Sequence, residues 1–257
     1  MSMNTGLSGI NAATNDLNVT ANNIANVSTT GFKHSRAEFG DLVGGACGGT
    51  GIGLGVQTQA INQQFQQGGV TTTGNALDFA INGCGFFQVK DASGTYYTRA
   101  GSFHVDNEGF IVNNLGQKLQ GVGGDLQFDA ASLPVTNIVL DSDGKITAKG
   151  ATGADVEIQG GPLGLADFPN VQGLKQVSDT EWMETPESGA MNVNNGGALA
   201  APGTGSIGKV MNGALESSSV DLTAQLVNMI IAQRNFGANA KTITANSEMA
   251  QTIIAIR

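Results

Sequence analysis

The chain has 257 residues, with 12 basic and 21 acidic side chains and a formal net charge of -9. This acidity argues against nucleic acid as a partner, because binding to a phosphate backbone relies on basic residues. Only 13% of the chain is charged and 38 residues are glycine, whereas about a quarter of an average globular protein is charged. The composition favours a structural protein over an enzyme.

Neither a membrane-spanning segment nor a secretory signal is expected. The chain has no run of about 18 apolar residues. Its first basic residue is Lys33, so the amino terminus lacks the charged region of a cleaved signal peptide. Two cysteines, Cys47 and Cys84, are too few for a disulfide framework, and we interpret both as free thiols.

The first segment predicts an amphipathic helix that ends at Thr30-Gly31. Asp16 is its only charged side chain, and its serine, threonine and asparagine residues lower helix propensity. Because short helices are marginal in water, we expect the segment to order fully only when it packs against other subunits. Apolar or small side chains recur in steps of three and four at Leu7, Ile10, Thr14, Leu17, Ala21 and Ile24.

A glycine-rich loop over residues 44–55 follows. It lacks the Lys-Ser or Lys-Thr pair of a phosphate-binding P-loop and the G-x-G-x-x-G spacing of a dinucleotide site. We interpret it as a flexible loop that leads into a strand at Val56.

Residues 56 to about 151 alternate short strands with tight turns. The segments VDNEGFIV and LDSDGKIT each place an acidic turn, closed by glycine, before a strand, as β-hairpins require. Further strand signals occur in DVEIQG, in LGLADF and around Trp182. A spacer at residues 192–208 is low in bulky side chains. These features predict an antiparallel β domain over residues 35–213.

No catalytic, cofactor or metal site is predicted. The two histidines, His34 and His104, are interpreted as surface or rim residues rather than as a metal pair. Asp141, Asp143 and Gly144 resemble part of a calcium loop, but the remaining ligands and the distal glutamate are missing. We therefore predict that the protein is not an enzyme and holds no cofactor.

The last forty residues predict a long helix. Ser218 lies three residues before Asp221 and indicates a capping box at its start. At ~1.5 Å per residue the helix would be about 55 Å long, which is too long for one small core to bury. A heptad seam runs through Leu222, Leu226, Met229, Gln233, Phe236, Ala240, Ile243, Ser247, Ala250, Ile254 and Arg257.

The predicted fold class is mixed, with a mainly β body and long paired helices at both ends. Residues 1–34 and 214–257 would form a discontinuous, coiled-coil-like helical domain. The matching seams predict that the two helices pair as an antiparallel or near-parallel hairpin. Two alternatives stay open for the seams: a plain intramolecular hairpin packed on the β domain, and contacts with other subunits.

Four motifs in the chain carry a resemblance to a known family. They are LSGINAATNDLNVTANNIANVSTTGFKHSRAEF, TTTGNALDFAINGCGFFQV, YTRAGSFHVDNEGFIVNNLGQKLQG and NGALESSSVDLTAQLVNMIIAQRNFGANAKTI. Together they resemble the bacterial flagellar rod and hook proteins over roughly residues 1–121 and 161–257. The closing segment is most similar to hook proteins, but the stretch from Gly121 to Gly161 leaves no room for their additional outer domain.

The resemblance implies a structural subunit that self-assembles into a helical tube, most similar to the hook, which transmits motor torque. Within the family, a distal or proximal rod protein is the alternative. Outside it, the alternative is a monomeric, β-rich binding or adhesion module.

The implied partners are further copies of the chain, other axial proteins (rod, hook cap and hook–filament junction) and the export apparatus. The implied location is the flagellum, reached without a cleaved signal peptide. The terminal helices would form the inner tube, with an assembly surface at Leu7, Ile10, Leu17, Ile24, Leu222, Leu226, Met229, Phe236, Ile243 and Ile254.

Overall fold

The computed structural model describes residues 2–43, 53–129, 135–141, 143–150, 155–178, 180–192 and 196–255. The chain divides into two compact units, which we call unit 1 and unit 2. Unit 1 contains Met1–Val27, His34–Gln64 and Val220–Arg257, and unit 2 contains Ser28–Lys33 and Phe65–Ser219. The mixed, mainly β fold class is confirmed, and residues 34–64 group with the helices in unit 1.

Unit 1 is built from two helices and one hairpin. Helix α1 spans Ser2–Ala25, strands β1 and β2 span Ser35–Val43 and Gly53–Gln63, and helix α2 spans Leu222–Ala255. Strands β1 and β2 pair antiparallel, with a register shift between Glu38 and Phe39. The strand expected at Val56 is therefore part of β2. The glycine-rich stretch before it, with Cys47, lies largely outside the described residues.

The start of α2 differs from the prediction. The Asp221 carboxylate accepts hydrogen bonds from the amides of Thr223 and Ala224, at 2.9 and 3.3 Å. Asp221 is thus the N-cap itself, and its negative charge lies at the positive end of the helix dipole. The predicted capping box at Ser218 is wrong, because the helix begins only at Leu222.

Helices α1 and α2 lie side by side and run antiparallel. Gly6 is closest to Ile243 and Gly9 to Asn239. At the other end of α1, the Asn23 amide donates to the Gln225 side chain at 3.3 Å. Residue numbers thus rise along α1 as they fall along α2, which confirms the antiparallel alternative.

The β1–β2 hairpin packs on α1 through polar contacts. The Asn23 side chain donates to the Ser35 carbonyl at 2.8 Å and accepts from the Ser35 amide at 2.9 Å. The Asn15 amide donates to the Thr58 hydroxyl at 3.0 Å. Asn23 is almost completely buried, so these bonds satisfy polar groups that would otherwise be costly inside unit 1.

Unit 2 is made of short, mostly antiparallel strands. The strands are β3 Val70–Thr72, β4 Phe79–Asn82, β5 Phe86–Asp91, β6 Gly94–Thr98, β7 Phe103–Val105, β8 Ile111–Asn113, β9 Lys118–Gly121, β10 Gly124–Asp125, β11 Thr136–Leu140, β12 Ile146–Lys149, β13 Asp155–Glu157, β14 Leu165–Ala166, β15 Lys175–Ser178, β16 Glu181–Met183, β17 Lys209–Asn212 and β18 Ala214–Glu216. In the largest sheet the strand order is β15-β16-β6-β5-β9-β8-β7, with β10 beside β9 and β14 beside β5. Strands β11-β12-β13, β4-β17 and β3-β18 form three smaller sheets.

Strand β5 lies between two hydrophobic clusters of unit 2. Its consecutive residues Phe86 and Phe87 are both buried and point to opposite faces, as neighbours in a strand do. Phe87 belongs to the larger cluster, and Phe86 joins Tyr97, Phe168 and Trp182 in an aromatic cluster. The Phe86 and Trp182 rings meet edge to face, with centroids 5.6 Å apart.

Three turns of unit 2 share one backbone pattern. The amide of the first residue donates to the carbonyl four residues on, and the amide of a glycine donates back to the first carbonyl. Those glycines have φ of 84°, 80° and 81°, in the left-handed region that other residues rarely adopt. The two predicted acidic turns are confirmed, and a third was missed. They begin at Asp106, Asn113 and Asp141.

The predicted spacer at 192–208 contributes several residues to the core, although residues 203–206 are exposed. Asn192 is buried, and its side-chain amide donates to the backbone carbonyls of Leu165 and Ala198, at 2.9 and 2.8 Å. Leu199 packs in the aromatic cluster and Ile207 in the larger one. The segment therefore has few bulky side chains because its backbone packs closely against neighbouring strands, and not because it is a flexible link.

Candidate assembly surface

The ten residues predicted to form an assembly surface are all at least partly exposed. Leu7 is 53% exposed and Ile254 is 75% exposed, and Leu222, Leu226 and Phe236 are also on the surface. The other five are half-buried: Ile10, Leu17, Ile24, Met229 and Ile243. Within unit 1, the predicted surface therefore remains accessible.

Helices α1 and α2 approach each other closely at two glycines of α1. An added Cβ would lie 3.0 Å from Ile243 at Gly6 and 2.6 Å from Asn239 at Gly9. Ile243 is the one member of the predicted seams in these close approaches. The pairing of the two seams with each other, as in a coiled coil, is therefore not confirmed.

Small side chains explain why the helices meet on this face. Gly6, Ala12, Ala13 and Ala232 are buried, and small residues let two helix backbones approach closely. Most of the larger apolar side chains of the same helices are half-buried or exposed. Periodicity showed where the apolar residues recur, but it did not show which face lies against the partner helix.

Helix α2 presents a patch of exposed apolar side chains in its first half. Leu226, Val227, Ile230 and Ile231 are each about half exposed, and they lie side by side on a helix with 3.6 residues per turn. The exposed residues form a contiguous surface of the kind that marks interaction sites.

No group of three or more His, Cys, Asp or Glu side chains in the described part of the chain could hold a metal ion. His104 is exposed, and Cys84 is an exposed free thiol. None of the described helices is long and apolar enough to cross a membrane.

Unit 2 contains a buried ion network that sequence reasoning missed. Glu216 accepts from the Lys33 ammonium at 2.6 Å and from the Arg99 guanidinium at 3.2 Å. All three side chains are buried. The amide of Gly68 also donates to Glu216, at 2.9 Å. This network joins three distant parts of the chain.

Backbone carbonyls also accept hydrogen bonds in the network. Lys33 donates to the Gln66 carbonyl at 2.7 Å and Arg99 to the Gly83 carbonyl at 2.9 Å. The Arg99 guanidinium also lies over the Phe86 ring, 5.2 Å from its centroid. Burial lowers the pKa of Lys33, and the facing Glu216 carboxylate opposes that change.

Three family models match separate parts of this chain. The flagella basal body rod protein model matches residues 3–33, the flagellar hook protein FlgE/F/G D1 domain matches residues 80–148, and the flagellar basal body rod FlgEFG protein C-terminal model matches residues 211–256. All four sequence motifs overlap these models or lie next to them.

Curated relatives cover almost the entire chain. The flagellar basal-body rod protein FlgG of Bacillus subtilis is 36% identical, over 100% of this chain and 98% of its own length. FlgG of Agrobacterium fabrum is 37% identical over 95% of each. The chain belongs to the flagellar rod and hook protein family. The hook protein FlgE of Salmonella typhimurium is 26% identical over 100% of both chains.

Members of the flagellar rod and hook family are structural proteins, and this chain is a structural protein of the flagellar axis. The ion network falls on all three matched segments: Lys33 ends the first, Arg99 lies in the second and Glu216 in the third. The family motifs GFK, TRAGSF and ALESS therefore meet in one buried site. The sequence contained a signal for this buried ion network, since each of the three motifs has one charged residue among apolar or small residues.

Proposed function

We propose that the protein is a rod subunit that polymerises with further copies of itself into a helical tube through α1 and α2. The observation that supports assembly is the exposed apolar surface of α2 around Leu226, Val227, Ile230 and Ile231. Burying apolar surface drives protein association, at about 25 cal/mol per Å² removed from water. Membership of a family of axial proteins supports a second copy as the partner.

Length and identity favour the rod over the hook. The Bacillus rod protein matches over 98% of its own length at 36% identity. The alignment with the Salmonella hook protein extends over 413 positions at 26% identity, against a chain of 257 residues. The hook protein thus contains a long stretch without a counterpart here. The hook, which the closing segment resembles, is the second candidate.

The proposal includes the setting in which the tube would assemble. The partners are the neighbouring axial proteins, and the chain reaches the flagellum through the export apparatus. The tube would transmit motor torque. Since the family is shown, the alternative of a monomeric binding or adhesion module is set aside.

Electron microscopy of the concentrated full chain tests this proposal. We expect helical tubes from the intact chain and none from a variant that lacks residues 222–255. Straight tubes support the rod, and curved tubes support the hook. If the chain stays monomeric even when fragments of purified rod are added as templates, assembly is contradicted.

A matched pair of variants tests whether α2 carries the contact. Leu226→Ser with Ile231→Ser removes two exposed apolar side chains from α2, and Leu115→Ser with Val177→Ser removes two that are similarly exposed in unit 2. We expect tubes to be lost only in the first pair. Equal loss in both pairs, or tubes from both, would remove the role assigned to α2.

A further inference from the structure

A pocket in unit 1 contains an unpaired carboxylate. The cavity has a volume of about 300 Å³, and its walls come from both helices and the hairpin. Asp16 lies in the wall, with Ala13 of α1, Phe39 and Val56 of the hairpin, and Asn235 and Asn239 of α2. The cavity is open and large enough for one long side chain.

Asp16 has no partner of its own in the part of the chain that the structure describes. It makes no hydrogen bond or ion pair there, and the wall around it is largely carbon. Burial raises the pKa of this carboxyl, since an unpaired charge is disfavoured away from water. A cation that enters the pocket would stabilise the ionised form.

Arg234 lies on the side of α2 that faces away from α1, and no described residue pairs with its charge. It is exposed and makes no ion pair with any described residue. Ala232, two positions earlier, is fully buried, and two positions on a helix are about 200° apart. Arg234 therefore points away from its own α1 and does not reach Asp16 of the same chain.

The surroundings of Arg234 match those of Asp16. Ile230 and Ile231 stand one turn before it on α2 and are about half exposed. The surface of α2 around Arg234 is apolar with one positive charge, and the pocket around Asp16 is partly apolar with one negative charge. The two surfaces are therefore complementary. Arginine suits such a site better than lysine, because its planar guanidinium binds a carboxylate with two parallel hydrogen bonds.

We propose that the pocket around Asp16 receives the Arg234 guanidinium of a second copy of this chain. This inference rests on the proposed function and names the contact through which it operates. The two partners lie on different faces of unit 1, so the contact is heterologous. Contacts of that kind leave a free pocket and a free arginine at the two ends, as growth of an open helical tube requires.

Charge exchange in the full chain tests the pair. We measure the concentration of soluble chain that remains in equilibrium with tubes. We expect Asp16→Arg and Arg234→Asp each to raise it at least about tenfold, a loss of about 1.4 kcal/mol per contact. The double variant should return to within about threefold of the wild type. A double variant as poor as the worse single variant overturns the proposal.

Lys241 supplies the matched control, because it is another exposed cation of α2 without an ion pair among the described residues. Lys241→Asp makes the same change of charge on the same helix. Combined with Asp16→Arg, it should not restore assembly. Restoration by Lys241→Asp, but not by Arg234→Asp, would also overturn the proposed pair.

Cross-linking separates failure of this pair from failure of assembly itself. One tagged copy carries Asp16→Cys and a second, larger copy carries Arg234→Cys, both with Cys47→Ser and Cys84→Ser. A short bismaleimide should join the two copies, and a Lys241→Cys copy should give much less product. Tubes without this cross-link overturn the pair but leave the polymer intact. If the wild-type chain, assayed in parallel, forms no tubes and the cysteine copies form no cross-link, both proposals are contradicted.

Discussion

Units 1 and 2 of this protein bury opposite kinds of residue. The core of unit 2 contains large side chains such as Phe79, Phe87 and Trp182, which are almost fully buried. In unit 1 the buried positions are mainly small or polar, as at Ala13 and Asn23, and most large apolar residues are half-buried or exposed. Because hydrophobic stabilisation grows with the apolar area removed from water, unit 2 provides its own stability. Unit 1 retains exposed apolar area, which the proposed assembly would bury.

Disrupting the ion network should cause the largest loss of stability in unit 2. Glu216→Gln leaves the buried cations of Lys33 and Arg99 facing each other without a counter-charge. We expect a loss of about 3–5 kcal/mol in the free energy of unfolding. Urea titration followed by the fluorescence of Trp182, the one tryptophan of the chain, measures this loss.

The control for that experiment is an exposed ion pair of the same unit. Lys145 and Glu157 lie 2.6 Å apart, but both side chains are mostly in solvent. Glu157→Gln should leave the urea midpoint unchanged, since exposed pairs contribute little. If the two variants shift the midpoint equally, burial of the network does not matter for stability.

Truncating one apolar side chain in each unit sharpens the comparison. Phe87→Ala opens a cavity in the core of unit 2 and should cost about 3–5 kcal/mol. Ile231→Ala shortens an exposed residue of α2 and should change the stability of the monomer by less than about 0.5 kcal/mol. Urea titration measures the first, and hydrogen exchange of α2 amides measures the second.

The same two variants should affect assembly in the opposite order, with the larger effect from the change in α2. Ile231→Ala should raise the concentration needed for tube formation, because it removes part of the proposed contact. Phe87→Ala should leave that concentration unchanged under conditions in which unit 2 remains folded. A large loss of monomer stability from Ile231→Ala would show that unit 1 uses this residue internally.

The smallest expected effect is a pH dependence from Lys33. Because burial lowers the folded-state pKa below the ordinary value of 10.5, the unfolded chain binds a proton at pH values where the folded chain has released it. The free energy of unfolding should therefore rise with pH through the window just below 10.5. Lys33→Met should lose this slope, and chemical unfolding at several pH values measures the difference. A wild-type slope of opposite sign would contradict it.

Much of the strand pattern was predictable, because local signals decide it. The acidic turn at Asp106 was recognised from its closing glycine, and that glycine has the left-handed conformation which the turn requires. The spacer at 192–208 was not recognised as core. Ala200 of this segment pairs with Leu165 through two backbone hydrogen bonds, and these positions are far apart in the chain.

The sequence by itself determined the two helices, the short strands between them and the family of the protein, because periodicity, turn residues and motifs are local properties of a chain. Tertiary structure decided which helix faces meet and which stay exposed, since Gly6 and Gly9 allow a closer approach than the larger residues beside them. It also decided that Lys33, Arg99 and Glu216 form one buried site. No sequence spacing encodes that meeting, because the three residues come together only when the chain has folded.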